Sequence, residues 1–183
     1  MISCFFVIVI HVTNYFCRAY GEITQSEYLF ALLLDTLARV SVPCFFMISG
    51  ALLLGREEPL KKHRERLLRF LIALVVWSVV YYIWNRAFMK TEYNLKEILY
   101  VPTEPHLWYL YAMIPIYMVL PFFQVMCKGM SRKLERTLLV VCGASVVFNY
   151  MVSLQNGEAY YDLPLVGDKV YMFYIFIGYF IYK

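Results

Sequence analysis

Charged residues are scarce in this sequence: they make up 16% of its 183 residues, while hydrophobic residues make up 62%. A soluble domain averages about 25% charged and about 45–50% apolar residues, so the composition excludes an ordinary soluble domain. The net charge is only +4, and no basic face of a soluble fold is visible, which excludes a nucleic-acid-binding module. The long apolar runs predict an all-α, polytopic transmembrane helix bundle.

The sequence signatures of metal and nucleotide sites are also missing. The five cysteines lie in or beside apolar runs without CxxC spacing, so we interpret them as small buried residues and expect no disulfide framework. No P-loop, GxGxxG or HExxH motif occurs, and we expect neither a metal nor a permanently bound cofactor. The first apolar run lacks a preceding basic segment and a small-residue cleavage site, so no cleavable signal peptide is predicted.

Apolar runs predict five full spans and the start of a sixth. A span needs about 20 residues; the first run is short for this and the last is shorter, so we expect one domain over 1–183 that is truncated at both ends. Pro43 is expected to bend the second span and to leave the Arg39 carbonyl without its helical partner, and Pro115 and Pro121 to break the fourth. The runs are 1–17, 28–54, 67–84, 107–127, 137–154 and 170–182.

Positive charge is divided unevenly between the predicted loops. Six Lys and Arg residues lie in 55–69 and four in 127–136, whereas the loops on the other side hold four together. By the positive-inside rule, the two basic loops and the N-terminus are predicted to be cytoplasmic. Contacts with membrane lipid headgroups are expected at the basic loops.

His11 is the first candidate for chemistry. An imidazole titrates near neutrality and can accept a proton from a hydroxyl, so His11 is a candidate general base in the first apolar run. Asn14 and Tyr15, at i+3 and i+4, are expected to share its helical face. A histidine that hydrogen-bonds between helices is the structural alternative, and the residues alone leave both open.

Two pairs of residues are candidates for substrate binding. Asp35 and Arg39 are spaced i, i+4 in the second apolar run, where charge is costly and marks a functional site by default. The pair either fixes helix packing or has a functional role, in which Arg39 binds an anionic or polar acceptor or Asp35 orients His11. Trp108 and Tyr109 either line an outer substrate pocket or anchor their helix in an aromatic belt.

A basic cluster at 55–69 is the candidate donor site. Arg66 and Arg69, at i and i+3, are predicted to project from one helix face, with Arg64 close by. Guanidinium groups suit phosphate oxygens, which favours a phosphate clamp. The alternative is a topological signal that contacts anionic lipid headgroups.

Three motifs give the sequence a resemblance to a known family. ARVSVPCFFMISGALLL at 38–54, RLLR at 66–69 and HLWYLYAMIPIYMVLP at 106–121 resemble the integral-membrane acyltransferase family 3 in order and spacing. Its best-known members are bacterial O-acetyltransferases of surface polysaccharides, and the nearest likeness is to the branch that acetylates enterobacterial common antigen. The resemblance implies a bacterial plasma-membrane location and a larger helical domain, of which this chain would be the N-terminal part.

The resemblance also implies a reaction and its residues. An acetyl group would pass from acetyl-CoA, the co-substrate, to a hydroxyl of a surface glycan or lipid-linked sugar. His11 matches the family's histidine and would be the general base, although the family's arginine ahead of it would fall one position before Met1. Arg66 and Arg69 match the RxxR pattern and would hold the donor phosphates. Arg39 matches the arginine that precedes the VP-FF-SG stretch.

Two functions besides acyl transfer stay open at this point. Some relatives are fused to racemase domains and are associated with serine uptake, and intramembrane charges with proline-interrupted helices also suit a transporter. A non-catalytic, truncated relative is the third possibility, because the arginine ahead of His11 is missing.

Overall fold

The computed structural model describes residues 2–89, 101–155 and 170–183, and these residues form helices without a strand. The predicted all-α class is therefore confirmed. A π-helical turn, Asn85–Met89, continues the fourth helix, and a 3₁₀ turn, Pro105–Leu107, precedes the fifth. The helices are α1 (Ile2–Arg18), α2 (Gln25–Ala38), α3 (Ser41–Leu53), α4 (Leu60–Trp84), α5 (Trp108–Gly129), α6 (Arg132–Leu154) and α7 (Tyr171–Tyr182).

Within the described residues, four helical stretches are long and apolar enough to cross a membrane, and two further apolar helices, α1 and α7, are shorter. Large apolar side chains point outward along them; Phe122, for example, is 74% exposed. Such a surface is tolerated in lipid, where the surrounding chains are as apolar as the side chains. The predicted bundle is thus confirmed, and the cytoplasmic N-terminus stays a prediction. The four stretches are Gln25–Leu53, Leu60–Met89, Pro105–Gly129 and Arg132–Leu154.

The second predicted span is interrupted before Pro43, at Arg39 and Val40, rather than at Pro43. Because α3 begins at Ser41, Pro43 lies in its first turn, where a missing N–H leaves no intrahelical bond unmade. The Arg39 carbonyl accepts a hydrogen bond from the Val42 N–H at 3.3 Å. The Arg39 carbonyl thus lacks its usual i, i+4 partner, as predicted, and an i, i+3 bond replaces it because the chain tightens here into a turn.

Helix α5 continues through both of its prolines. Pro115 and Pro121 lie inside Trp108–Gly129, so the predicted break of the fourth span is wrong. A proline removes one backbone hydrogen bond from a helix interior. Membrane helices tolerate this, because neighbouring groups and local adjustments satisfy the freed carbonyl.

Most of the predicted basic loop is helical. Pro59 is extended, with φ −65° and ψ 148°, and α4 begins at the next residue. Residues 61–69 therefore form the first turns of α4, and only 55–59 connects α3 to it. The other predicted loops fall partly outside the described residues, which omit 90–100 and 156–169.

The helices group into two compact units, Met1–Gly55 with Cys127–Lys183, and Arg56–Met126. In the first unit, α1 packs on α2 and α3, and α7 packs on α3 and α6. The ring of Phe46 on α3 stacks on Tyr171 of α7, with centroids 4.4 Å apart.

In the second unit, α4 and α5 run antiparallel. The rings of Phe70 and Tyr117 lie 4.7 Å apart, and those of Tyr81 and His106 lie 4.9 Å apart. Eleven residues separate Phe70 from Tyr81 along α4, and eleven separate His106 from Tyr117 in the reverse direction on the other side. The two helices therefore keep one antiparallel register between these contacts. Extended towards the start of α4, this register places residue 63 level with Gln124.

Candidate functional site

Asp35 is the most deeply buried of the predicted site residues, with 4% of its surface exposed. Its Oδ2 accepts a hydrogen bond from Nε of Arg39 at 2.7 Å, and its Oδ1 lies 3.2 Å from the Thr13 hydroxyl. That hydroxyl has a single hydrogen and also lies 2.9 Å from the Val9 carbonyl oxygen, so it donates to one of them at a time. A cation beside a buried carboxylate offsets the loss of its hydration.

Arg39 lies at the edge of the first unit. Its side chain is 67% exposed, whereas that of Asp35 is 6% exposed. The bond to Asp35 uses Nε, so both terminal amino groups of the guanidinium lie outside the pair. Arg39 therefore has donors to offer an acceptor at this edge, and its role in substrate binding stays a prediction.

His11 lies on α1, half-buried, two residues before Thr13. Each residue turns a helix by about 100°, so the imidazole leaves α1 about 200° away from the Thr13 side chain. The Thr13 side chain meets Asp35 at hydrogen-bond distance. Sequence reasoning missed Thr13, because its 22-residue separation from Asp35 gives no local signal. The orienting role of Asp35 towards His11 stays a prediction.

Arg66, in the second unit, is held by Glu58. Nη2 of Arg66 donates to Oε1 at 2.7 Å, and Nη1 lies 2.7 Å from Oε2 without being aligned as a hydrogen bond. Arg56 adds a longer contact, 3.7 Å from Oε1. The hydrogen bond from Arg66 is the main reason why the pKa of Glu58 lies below its ordinary value. The carboxylate is therefore ionised at neutral pH and fixes the guanidinium in place.

The three predicted donor-binding arginines differ in position. Arg66 and Arg69 are three residues apart, about 60° around the helix, so they share one side of α4. Arg64 leaves α4 about 200° away from Arg66. The Arg66 side chain is only 23% exposed, whereas Arg64 and Arg69 are exposed and have no ion-pair partner among the described residues. Their binding role stays a prediction.

His63 is a site residue that sequence reasoning missed. It is 5% exposed, and neither ring nitrogen has a hydrogen-bond partner among the described residues. Seven residues, or almost two full turns, separate it from Phe70, so His63 lies on the side of α4 that faces α5. The available signal was an imidazole inside the basic segment KKHRERLLR at 61–69, where the neighbouring cations dominated the interpretation.

At the other end of α4 and α5, Trp108 and Tyr109 are half-buried, with ring centroids 6.0 Å apart and rings perpendicular. Nearby in sequence, Nδ2 of Asn85 donates to Oε1 of Glu104 at 2.8 Å, and Asn85 is 4% exposed. Half-burial fits both an interface anchor and the wall of a pocket, so the substrate-binding role of the two aromatic residues stays a prediction. Across the described part of the chain, no group of three His, Cys, Asp or Glu residues is placed to hold a metal ion.

One family model, described as an acyltransferase domain, matches residues 1–183. No curated protein and no solved structure matches this chain. The family match covers both units, and with them the His11 helix, the Asp35–Arg39 pair and the Arg66–Arg69 segment.

Proposed function

This chain belongs to the acyltransferase family, and from that premise we propose the reaction that it catalyses. The chain is an acyltransferase of non-aminoacyl groups, with helices that span a membrane. The proposed reaction moves an acetyl group from acetyl-CoA to a hydroxyl of a cell-surface glycan or lipid-linked sugar. The observation that carries the choice of donor is the fixed Arg66 guanidinium at the start of a membrane-spanning helix that bears further cations.

The donor is proposed to bind through its phosphates to Arg66 and Arg69, with Arg64 adding positive charge. Guanidinium forks match phosphate oxygens in geometry and charge. Because Glu58 already holds Arg66 in one orientation, little side-chain entropy remains to be lost when a phosphate binds. The exposed Arg69 offers its whole guanidinium to the ligand.

His11 is proposed as the general base. Its imidazole takes the proton from the acceptor hydroxyl, and the hydroxyl oxygen attacks the thioester carbonyl carbon. The carbon–sulfur bond then breaks, and the leaving thiolate takes the proton from the imidazolium. A variant of the same chemistry passes the acetyl group through an acyl-histidine before the hydroxyl receives it.

Acceptor contacts are proposed separately in each unit: the amino groups of Arg39, next to the buried Asp35, in the first, and Trp108 and Tyr109 in the second. Sugar hydroxyls need a few placed polar groups, and aromatic side chains supply apolar contact area. In the proposed orientation the chain lies in the bacterial plasma membrane with its N-terminus cytoplasmic. The donor then binds from the cytoplasm and the acceptor arrives from the outer side.

Transfer of labelled acetyl from acetyl-CoA, by the full chain in lipid bilayers, tests this proposal. We expect His11→Ala to lose at least about a hundredfold in rate, the usual contribution of a general base. Cys4→Ala is the matched control, because Cys4 lies on the same side of α1, two turns earlier, and is exposed. Unchanged transfer by His11→Ala would remove His11 from the mechanism. Uptake of labelled serine by vesicles without any acyl-CoA would favour a transporter instead.

A further inference from the structure

The start of α4 contains a buried imidazole that makes no hydrogen bond to the described residues. Neither Nδ1 nor Nε2 of His63 has a hydrogen-bond partner among them. Buried polar groups in folded proteins are nearly always hydrogen-bonded, because an unmade bond leaves their loss of hydration uncompensated. One turn later, Nη1 of Arg66 faces Oε2 of Glu58 at 2.7 Å in an ion pair. The unpaired imidazole needs an explanation of its own, and a ligand that accepts a hydrogen bond supplies one.

The two side chains lie on the same side of α4. His63 and Arg66 are three residues apart, about 60° around the helix. The side that carries His63 also carries Phe70, whose ring contacts Tyr117 of α5. The imidazole therefore points towards α5, level with Gln124. This places the unpaired atoms along the groove between the two helices of the second unit.

The electrostatic environment of this groove favours an anion. Residues 56–69 contain six Lys and Arg residues against three Glu residues. Helix α4 also begins here without a side-chain cap, so its first backbone N–H groups add partial positive charge. The nearest carboxylate, Glu58, already pairs with Arg66. A ligand with several acceptor oxygens and negative charge fits these donors, and a phosphoryl group has both properties.

We propose that His63, beside the ion-paired Arg66, forms a subsite for a phosphoryl group, in which an imidazole N–H donates to a phosphate oxygen and the Arg66 guanidinium adds positive charge. An imidazole can donate without carrying a charge, so it suits a position too buried for a lysine. The assignment of this phosphoryl group to the acyl donor rests on the proposed function. The phosphate of an anionic lipid has the same chemistry, and the experiment separates the two sources.

Binding of acetyl-CoA to the full chain, measured by calorimetry in bilayers of neutral lipid, is the first arm. We expect His63→Leu to weaken binding about tenfold or more, as for a lost hydrogen bond to a charged group. His63→Gln keeps an N–H donor and is expected to retain more of the affinity. Lys61→Gln is the control for bulk charge, because it removes a full charge from an exposed position. Acetyl-pantetheine, which has no phosphate, should bind equally to the chain and to His63→Leu.

Retention of phosphatidylglycerol by the purified chain is the second arm. If the lipid is the natural source, His63→Leu should lower this retention and leave acetyl-CoA affinity unchanged. The inference is overturned if His63→Leu alters neither, or if Lys61→Gln weakens binding as much as His63→Leu does. Thermal unfolding of each variant shows whether it is folded, and His63→Met, which also lacks a donor, replaces His63→Leu if that variant unfolds.

The two arms also keep this inference distinct from the proposed function. Binding of acetyl-CoA that depends on His63, without transfer to any acceptor, would support the subsite and contradict the proposed reaction. Transfer that is unaffected by His63→Leu at limiting acetyl-CoA would contradict the assignment of the subsite to the acyl donor and support the reaction.

Discussion

Gly50 of α3 and Gly178 of α7 each lie directly against the backbone of the other helix. A Cβ on Gly50 would overlap the carbonyl of Ile175, and a Cβ on Gly178 would overlap the carbonyl of Met47. Only glycine lets two helices approach this closely, which is the small-residue packing that holds membrane helices together without a hydrophobic driving force. The crossing fixes the position of α7 in the first unit.

We expect Gly50→Ala and Gly178→Ala to destabilise the first unit. The added methyl group forces the helices apart, and overpacking of this kind costs about 1–3 kcal/mol. Alanine gains about 1 kcal/mol of helix propensity over glycine, which offsets only part of that cost. Thermal unfolding in a mild detergent measures the difference.

Gly143→Ala is the matched control for this crossing. Its added Cβ would lie 3.5 Å from the ring of Phe173, an ordinary van der Waals distance. This variant should therefore show the gain in helix propensity without the clash. Equal stability of all three variants would show that the α3–α7 crossing does not depend on glycine.

The parts of the fold that depend on neighbouring residues in the chain were predictable from the sequence. Apolar run length gave the helices, and the i, i+4 spacing gave the Asp35–Arg39 pair, because both depend on near neighbours in the chain. The interruption of the second span was predicted at Pro43 because a rule for helix interiors was applied to it, whereas Pro43 lies in the first turn of α3. The start of α4 was also misplaced, because the apolar run marks only part of the helix and its first turns are charged.

The contacts that build the site depend on packing and had no signal in the sequence. Thr13 meets Asp35 across 22 positions, and the burial of His63 depends on the register between α4 and α5. Both follow from how helices are placed against each other, which residue spacing alone does not determine. An unpaired buried atom, as in His63, becomes visible only when the surrounding side chains are in place.

Asp35 and Arg39 are expected to be strongly coupled in stability. Arg39→Met leaves a carboxylate that is 4% exposed without its cation, and we expect a loss of about 1–3 kcal/mol. Asp35→Asn added to Arg39→Met removes the uncompensated charge and should recover part of this loss. Thermal unfolding of the two single variants and the double variant measures the coupling; additive effects would mean that the ion pair does not stabilise the bundle.

The Glu58–Arg66 pair predicts a pH dependence at the start of α4. The pKa of Glu58 is lowered from 4.5 in the folded chain, chiefly by the hydrogen bond from Arg66. Its stabilising contribution is therefore fully present above 4.5 and is lost as the pH falls through the lowered folded value. Hydrogen exchange of the first turns of α4 should be faster in Glu58→Gln than in the parent at neutral pH. This difference should disappear in the acid range, and a difference that persists there would assign the effect to another group.

At the end of α7, Nζ of Lys183 donates to Oε1 of Glu135 at 2.5 Å, and Arg132 lies 3.5 Å from Oε2. Glu135 is 3% exposed, so this contact ties α7 to the start of α6 through a buried carboxylate. The hydrogen bond to Glu135 is the main reason why the pKa of Lys183 is raised above its ordinary value of 10.5. The contribution of this bond is present below pH 10.5 and is lost as the pH rises through the higher folded value.

We expect Lys183→Met to lower the thermal stability of the first unit, because it removes the closer of the two cations that pair with Glu135 among the described residues and leaves the exposed Arg132. Glu135→Gln on the Lys183→Met background should restore part of the melting temperature, since no buried charge is then left unpaired. Lys133→Met is the control, because it removes an exposed charge from the same turn of α6 and should leave the melting temperature unchanged. If Lys183→Met and Lys133→Met melt together, the ion pair contributes no more than surface charge, and the packing of α7 on α3 alone holds the helix in place.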